Sequence, residues 1–143
     1  MNWKAEAKEK LRRYEAMRLA TVNIPLELER LEVDAQSIRS ARSDATPVSG
    51  GGNRREEAMI NNIIERQELE RALQQAKLWL RSTDRALTAL TKEEQLILHR
   101  LYLYPEKGSV ALLSKELGIE SSSIYRHRDK ALLHFTLAYY GIA

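Results

Sequence analysis

The chain contains no cysteine. It therefore forms no disulfide and offers no thiolate as ligand or nucleophile. Aromatic residues are scarce, at 6% with a single phenylalanine, and there are only six glycines and three prolines. That poverty argues against a sheet with a broad core and many turns. No stretch is apolar enough to span a membrane, and the start lacks a signal-peptide pattern. The expectation is a cytoplasmic protein with no membrane partner. Neither sign of charge dominates: 23 basic residues stand against 20 acidic ones, for a net charge of +3. This mild excess permits nucleic-acid binding without arguing for it. What is plentiful is charge, 30% of 143 residues, set between narrow apolar stripes. The composition and stripes predict an all-α chain, a helical, coiled-coil-like arm followed by a small C-terminal domain.

The stretch Val110 to Phe135 organises the rest. Val110, Leu113 and Leu117 mark one face of a short helix. Gly118 follows, where a residue with positive φ commonly ends a helix. Glu120, Ser121, Ser122 and Ser123 are candidate caps for a second helix. That helix buries Ile124, Ala131, Leu132 and Phe135 and exposes Tyr125, Arg126, Arg128 and Lys130. Ser114, four before the glycine, lets the helices approach. Ile124, six after it, plugs the angle between them. The pattern is that of a helix-turn-helix, whose second helix offers its N-terminal face to the DNA major groove. It also describes an ordinary helical corner of a bundle. His127 stands where an apolar residue is usual, three past the plug, and a neutral imidazole there is half-buried.

Gly118-Ile119-Glu120-Ser121-Ser122-Ser123-Ile124, followed by Lys130-Ala131-Leu132, is similar to region four of bacterial sigma factors. The chain as a whole resembles the small ArpU/RinA-type regulators, sigma-like regulators of late transcription in phages and prophages of Gram-positive bacteria. Tyr125 to Leu132, Phe135 and Tyr140-Gly141 carry that likeness best. The resemblance implies a sequence-specific transcriptional regulator that binds double-stranded DNA, with an arm that dimerises or contacts RNA polymerase. It places Ser121, Ser122, Tyr125 and Arg126 at base-reading positions. Arg126 is the foremost, because a guanidinium bonds guanine at two points. Arg128 and Lys130 fall to phosphate or solvent. The alternative is a small DNA-packaging protein of the terminase small-subunit kind, an oligomer that joins a helix-turn-helix to helical segments.

Before this unit the chain reads as an N-terminal helical arm (1–42), a flexible linker (43–53) and a long coiled-coil-like helix (54–90); the DNA-binding domain is 91–143. In the arm, Trp3, Ala7, Leu11 and Tyr14 share a helical face, and Pro25 ends or kinks that first helix. A second helix from Pro25 to about Ser40 has its seam at Ile24, Leu28, Leu31, Ala35 and Ile38, in alternating steps of four and three. Thr46-Pro47 and Gly50-Gly51-Gly52 interrupt helix in the linker. Asn53 and Glu56 fit a capping box for the long helix. That helix carries its own seam, Leu69, Leu73, Ala76, Leu80, Thr83, Leu87 and Leu90, with Ile60, Ile63 and Ile64 before it in another phase. Its stripe must be covered, by the Pro25 to Ser40 helix or by a second copy in a homo-oligomer. Trp79, off the seam, marks a second contact face. Thr91 and Glu94 fit another capping box, for a helix whose apolar face is Leu96, Ile97, Leu101 and Tyr102.

No catalytic constellation is visible. Two of the three histidines, His127 and His134, lie seven apart, too far for ligands on adjacent turns, and no acid stands beside them in sequence to complete a metal set. No serine has a His and acid partner at recognisable spacing. The glycines of the linker lack a following Lys-Ser or Lys-Thr, which a phosphate-binding loop requires. The expectation is a non-enzyme without cofactor or metal.

Overall fold

The computed structural model describes residues 2–44 and 51–141, and its regular elements there are all helical. They are α1 (Trp3–Arg12), α2 (Tyr14–Asp44), α3 (Gly51–Thr88), α4 (Lys92–Leu98), α5 (Ser109–Leu117) and α6 (Ser121–Tyr139). A π-helical turn, His99–Leu103, follows α4 directly. The chain divides into two compact units, one made of residues up to Arg18 and from Leu78 onward, the other of Leu19–Lys77.

The first unit joins both ends of the chain. The Asn2 side chain accepts the Ala5 amide at 3.2 Å and starts α1. Ala7 and Leu11, one turn apart, are buried with Ala86, Leu90, Leu98, Tyr102, Leu103, Ala131, Leu132 and Phe135. Ile97, Leu113 and Ile124 form a second cluster, against which Val110, Leu117 and Ile119 pack. The consecutive residues Ile97 and Leu98 thus enter different clusters, so α4 is the wall between them. Each fully buried aliphatic side chain contributes about 1.5–3 kcal/mol of transfer free energy. Thr91 and Glu94 form the expected capping box, with the Glu94 amide donating to the Thr91 hydroxyl (3.2 Å) and the Thr91 amide to the Glu94 carboxylate (3.1 Å). Trp79 lies against Tyr14, ring centroids 6.4 Å apart, and Tyr14 donates its hydroxyl to Asp84 at 2.6 Å.

The second unit holds most of the arm seam. Leu31 and Ala35 of α2 are buried, as are Asn62, Leu73 and Ala76 of α3. The Asn62 side-chain amide donates to the Leu31 carbonyl at 2.8 Å. Arg66 donates to the Asn62 side-chain oxygen at 2.8 Å and lies 3.7 Å from Glu32. Leu73 and Ala76 of the long-helix stripe are thus buried within a single chain, while Leu69 is only half-buried.

Several local expectations change. Pro25 neither ends nor begins a helix but lies inside α2. An internal proline costs about 3 kcal/mol, and α2 bears it upstream of the buried Leu31 and Ala35. The break comes at Arg13, whose amide reaches the carbonyls of Glu9 (3.1 Å) and Lys10 (3.3 Å). Of the expected linker, 45–50 lie outside the described residues, with Thr46, Pro47, Val48 and Gly50 among them. Ser43 and Asp44 belong to α2, and Gly51 to Asn53 belong to α3. A glycine in a helix costs about 1 kcal/mol, a penalty that does not forbid it. Asn53, the expected cap, therefore lies inside α3. Ile60, Ile63 and Ile64 are exposed, and Asn62 takes the seam position between them.

Candidate nucleic-acid interface

The connection between α5 and α6 is built from Ser114, Gly118 and Ile119. The Ser114 carbonyl accepts the amides of Gly118 (3.0 Å) and Ile119 (3.2 Å), and its hydroxyl donates to the Ile119 carbonyl. Gly118 takes φ +68°, the left-handed region that a side chain disfavours. Ser114 is thus more than a small residue at a close approach, because it ties both sides of the turn. Ile124 is fully buried with Leu113 and Ile97. Ala131, Leu132 and Phe135 are buried along the same side of α6, as the periodicity predicted.

The serines do not cap. Glu120 occupies the N-cap with no side-chain hydrogen bond, and its carbonyl accepts the Ser123 amide at 2.9 Å. Ser121 and Ser122 are therefore the first two helical residues, both exposed. A helix start with such unspent amides and hydroxyls has donors available for an anion.

Tyr125, Arg126 and Lys130 are exposed, as expected. Arg126 bonds only the Ser123 hydroxyl, at 3.2 Å, and no carboxylate pairs with it or with Lys130 among the described residues. Arg128 departs from the expectation, since its side chain is only 22% exposed. Its guanidinium donates to the Asp129 carboxylate at 2.9 Å and lies 5.2 Å from the centre of the Tyr125 ring. A signal for this exists in the sequence. Arg128 stands four after Ile124 and three before Ala131, on the flank that helical spacing turns inward.

The histidines find acids on α4. His127 Nδ1 is 3.0 Å from Glu93, and His134 Nδ1 bonds Glu94. No acid neighbours them in sequence; the fold supplies both carboxylates from the first turn of α4. Burial pushes the Glu94 carboxyl up, but hydrogen bonds from Thr91 and His134 outweigh it and hold the group below the usual carboxylate range. These pairs dock α6 onto α4 on the flank away from Tyr125 and Arg128. Among the described residues no group of three His, Cys, Asp or Glu side chains gathers as a metal set. No helix there is long and apolar enough to cross a membrane.

What the site offers is an outward helix face with exposed hydroxyls, one aromatic ring and two cations free of acids. It is held at a fixed angle by a bonded glycine turn and a buried isoleucine. Compared with family models, with curated proteins and with solved structures, the chain matches none.

Proposed function

We propose that the chain is a sequence-specific regulator of transcription that binds double-stranded DNA, a phage or prophage late-gene regulator of the sigma-like, ArpU/RinA type, and reads DNA with the N-terminal half of α6. One observation carries the reading: Arg126 and Lys130 stand exposed, without carboxylate partners among the described residues, on the face of α6 away from Ile124, Ala131 and Phe135. A cation kept merely for folding is more often paired or spread among acids. In this reading Arg126 bonds a guanine edge, Ser121 and Ser122 donate to phosphate or base edges, and Tyr125 packs along the backbone or a thymine methyl. Lys130 meets phosphate. The phage kinship rests on the Gly118 to Ile124 and Lys130 to Leu132 register. RNA polymerase is the partner that kinship implies.

A second reading, an oligomeric DNA-packaging subunit, draws on a different feature. Leu19, Val22, Leu26 and Val33 of α2 are 42–60% exposed and recur in steps of three, four and seven, away from the buried Leu31 and Ala35. A helix with apolar stripes on two sides is suited to association. Capture of genomic fragments by the purified chain, with sequencing, tests both. A shared motif bound more tightly than its scrambled version supports the regulator. A ring of eight or more subunits in sedimentation, with little sequence preference, supports packaging. Absence of any salt-dependent affinity for DNA overturns both.

A further inference from the structure

We propose that α1 is part of the same nucleic-acid surface: Lys4, Lys8 and Arg12, joined by Arg128 of α6, form a ridge that holds DNA backbone phosphates beside the reading helix. The inference rests on the DNA-binding reading of α6. It adds an element that lies more than a hundred residues away in sequence.

The ridge exists because α1 is docked by the stripe beside it. Ala7 and Leu11 are buried in the cluster that contains Ala131, Leu132 and Phe135. Docking that stripe leaves Lys4, Lys8 and Arg12, spaced by four, along one flank of α1, where they line a shallow cleft with Asn2, Ala5 and Glu9. That flank meets α6 at the reading end. Lys4 is 3.3 Å from Asp129, and Asp129 also holds Arg128 at 2.9 Å. Arg128 in turn lies over the ring of Tyr125, one of the candidate reading residues. The Arg12 guanidinium stands 5.5 Å from the centre of the Tyr102 ring, which fixes it without neutralising it.

The charge does not balance. Four cations share the carboxylates of Asp129 and Glu9, and Asp129 is already engaged by both Arg128 and Lys4. Lys8 has no acid of its own among the described residues. Burial pushes its ammonium below the usual lysine value, and repulsion from Arg128, Lys4 and Arg12 pushes the same way, with only Asp129 opposing. Gathering like charges on a folded surface costs stability that a polyanion restores. The spacing suits one. Residues four apart on a helix are separated by about 6 Å along its axis, so the three α1 cations span about 12 Å. Along the duplex axis that length passes three to four phosphates of one strand, at about 3.4 Å of axis each. Arg and Lys contacts of this kind position a protein on the duplex and carry no sequence information.

The test uses the full chain with the recovered site and a scrambled duplex, reading affinity against salt. Lys4 is spared because it ties α1 to Asp129. Lys8→Gln with Arg12→Gln should flatten the plot of log affinity against log salt by about two, since each phosphate contact contributes a slope of about 0.9. The loss should be equal on both duplexes, so that the preference between them survives. Lys8→Arg with Arg12→Lys should keep the original slope. Glu9→Gln, at an exposed position whose side chain makes no bond among the described residues, should tighten binding to both. If the wild-type chain binds DNA and the glutamine variants bind it with an unchanged slope, the ridge is refuted and the α6 reading stands. If the wild-type chain binds neither duplex, the α6 reading fails and the ridge with it.

Discussion

Ser114 and Ile119 are hydrogen-bonded twice across the turn. The serine hydroxyl donates to the isoleucine carbonyl, and the serine carbonyl accepts the isoleucine amide at 3.2 Å. The pair closes only if Gly118 remains at positive φ. A Cβ added at Gly118 would meet nothing within 4 Å. Gly118→Ala therefore isolates the conformational cost, expected at about 1–2 kcal/mol. Ser114→Ala should cost about 1 kcal/mol for the lost hydroxyl bond. Urea denaturation measures both, and a neutral Gly118→Ala would mean that the turn relaxes out of the left-handed region.

The two apolar faces of the arm should respond oppositely. Leu73 is 8% exposed and covered by its own chain, whereas Leu26 is 60% exposed. Leu73→Glu is expected to destabilise by about 3 kcal/mol, because it buries an unpaired carboxylate in place of an apolar side chain. Leu26→Glu with Val33→Glu is expected to stay within about 0.5 kcal/mol per site. Denaturant midpoints compare them. A stable, soluble Leu73→Glu monomer would show that the seam joins two chains after all.

Acid should loosen α1 from α6. Burial raises the Asp129 carboxyl, but hydrogen bonds from Arg128 and Lys4 outweigh it and hold the group below the ordinary range. A carboxyl with a lowered folded value stabilises the fold above its unfolded value, about 3.9, and loses that contribution as pH falls through the folded one. The melting temperature of the wild-type chain should exceed that of Asp129→Asn at pH 6. The gap should close below about pH 4. A gap independent of pH would remove Asp129 from this role.

Reading and holding should separate on α6 itself. Arg126→Ala should cost about 1–3 kcal/mol on the specific site and little on a scrambled one, with the melting temperature unchanged. Lys130→Ala should weaken both equally and flatten the salt dependence by a slope of about one. Fluorescence anisotropy at two salt concentrations decides. Equal losses on both sites for Arg126→Ala would reassign it to phosphate contact, and no loss on either would take away the main support for α6 as the reader.

The α5–α6 corner was legible because its determinants are local. Gly118, the plug Ile124 and the stripe through Phe135 all lie within one short stretch, so spacing alone ties them together. The destination of α1 was not legible. Ala7 and Leu11 announce a stripe that must be covered, but no pattern in a single sequence says that Phe135 covers it. Pro25 misled because a proline inside a helix is penalised but not forbidden. Asn62 was passed over for its isoleucine neighbours because a search for apolar spacing cannot see a polar side chain that bonds the Leu31 carbonyl. Arg128 was visible in principle, at an inward position between Ile124 and Ala131, but its charge argued for the surface.

The π-helical turn fixes the phase of everything after it. The Tyr104 amide reaches back five residues to the His99 carbonyl, at 3.0 Å. The buried pair Ile97-Leu98 is accordingly answered by Tyr102-Leu103, five positions on, where a regular helix would have presented Leu101-Tyr102. Chain length here acts as a rotary setting. Removing one residue would restore a regular helix and swing the path into α5 and α6 by about 100°, one residue's angular share of a 3.6-residue turn. The outward face of α6 would then point elsewhere with its own sequence untouched. Insertions and deletions at this point are changes of aim, and the five residues His99–Leu103 set the direction of α6 as much as its own sequence sets which side chains face outward.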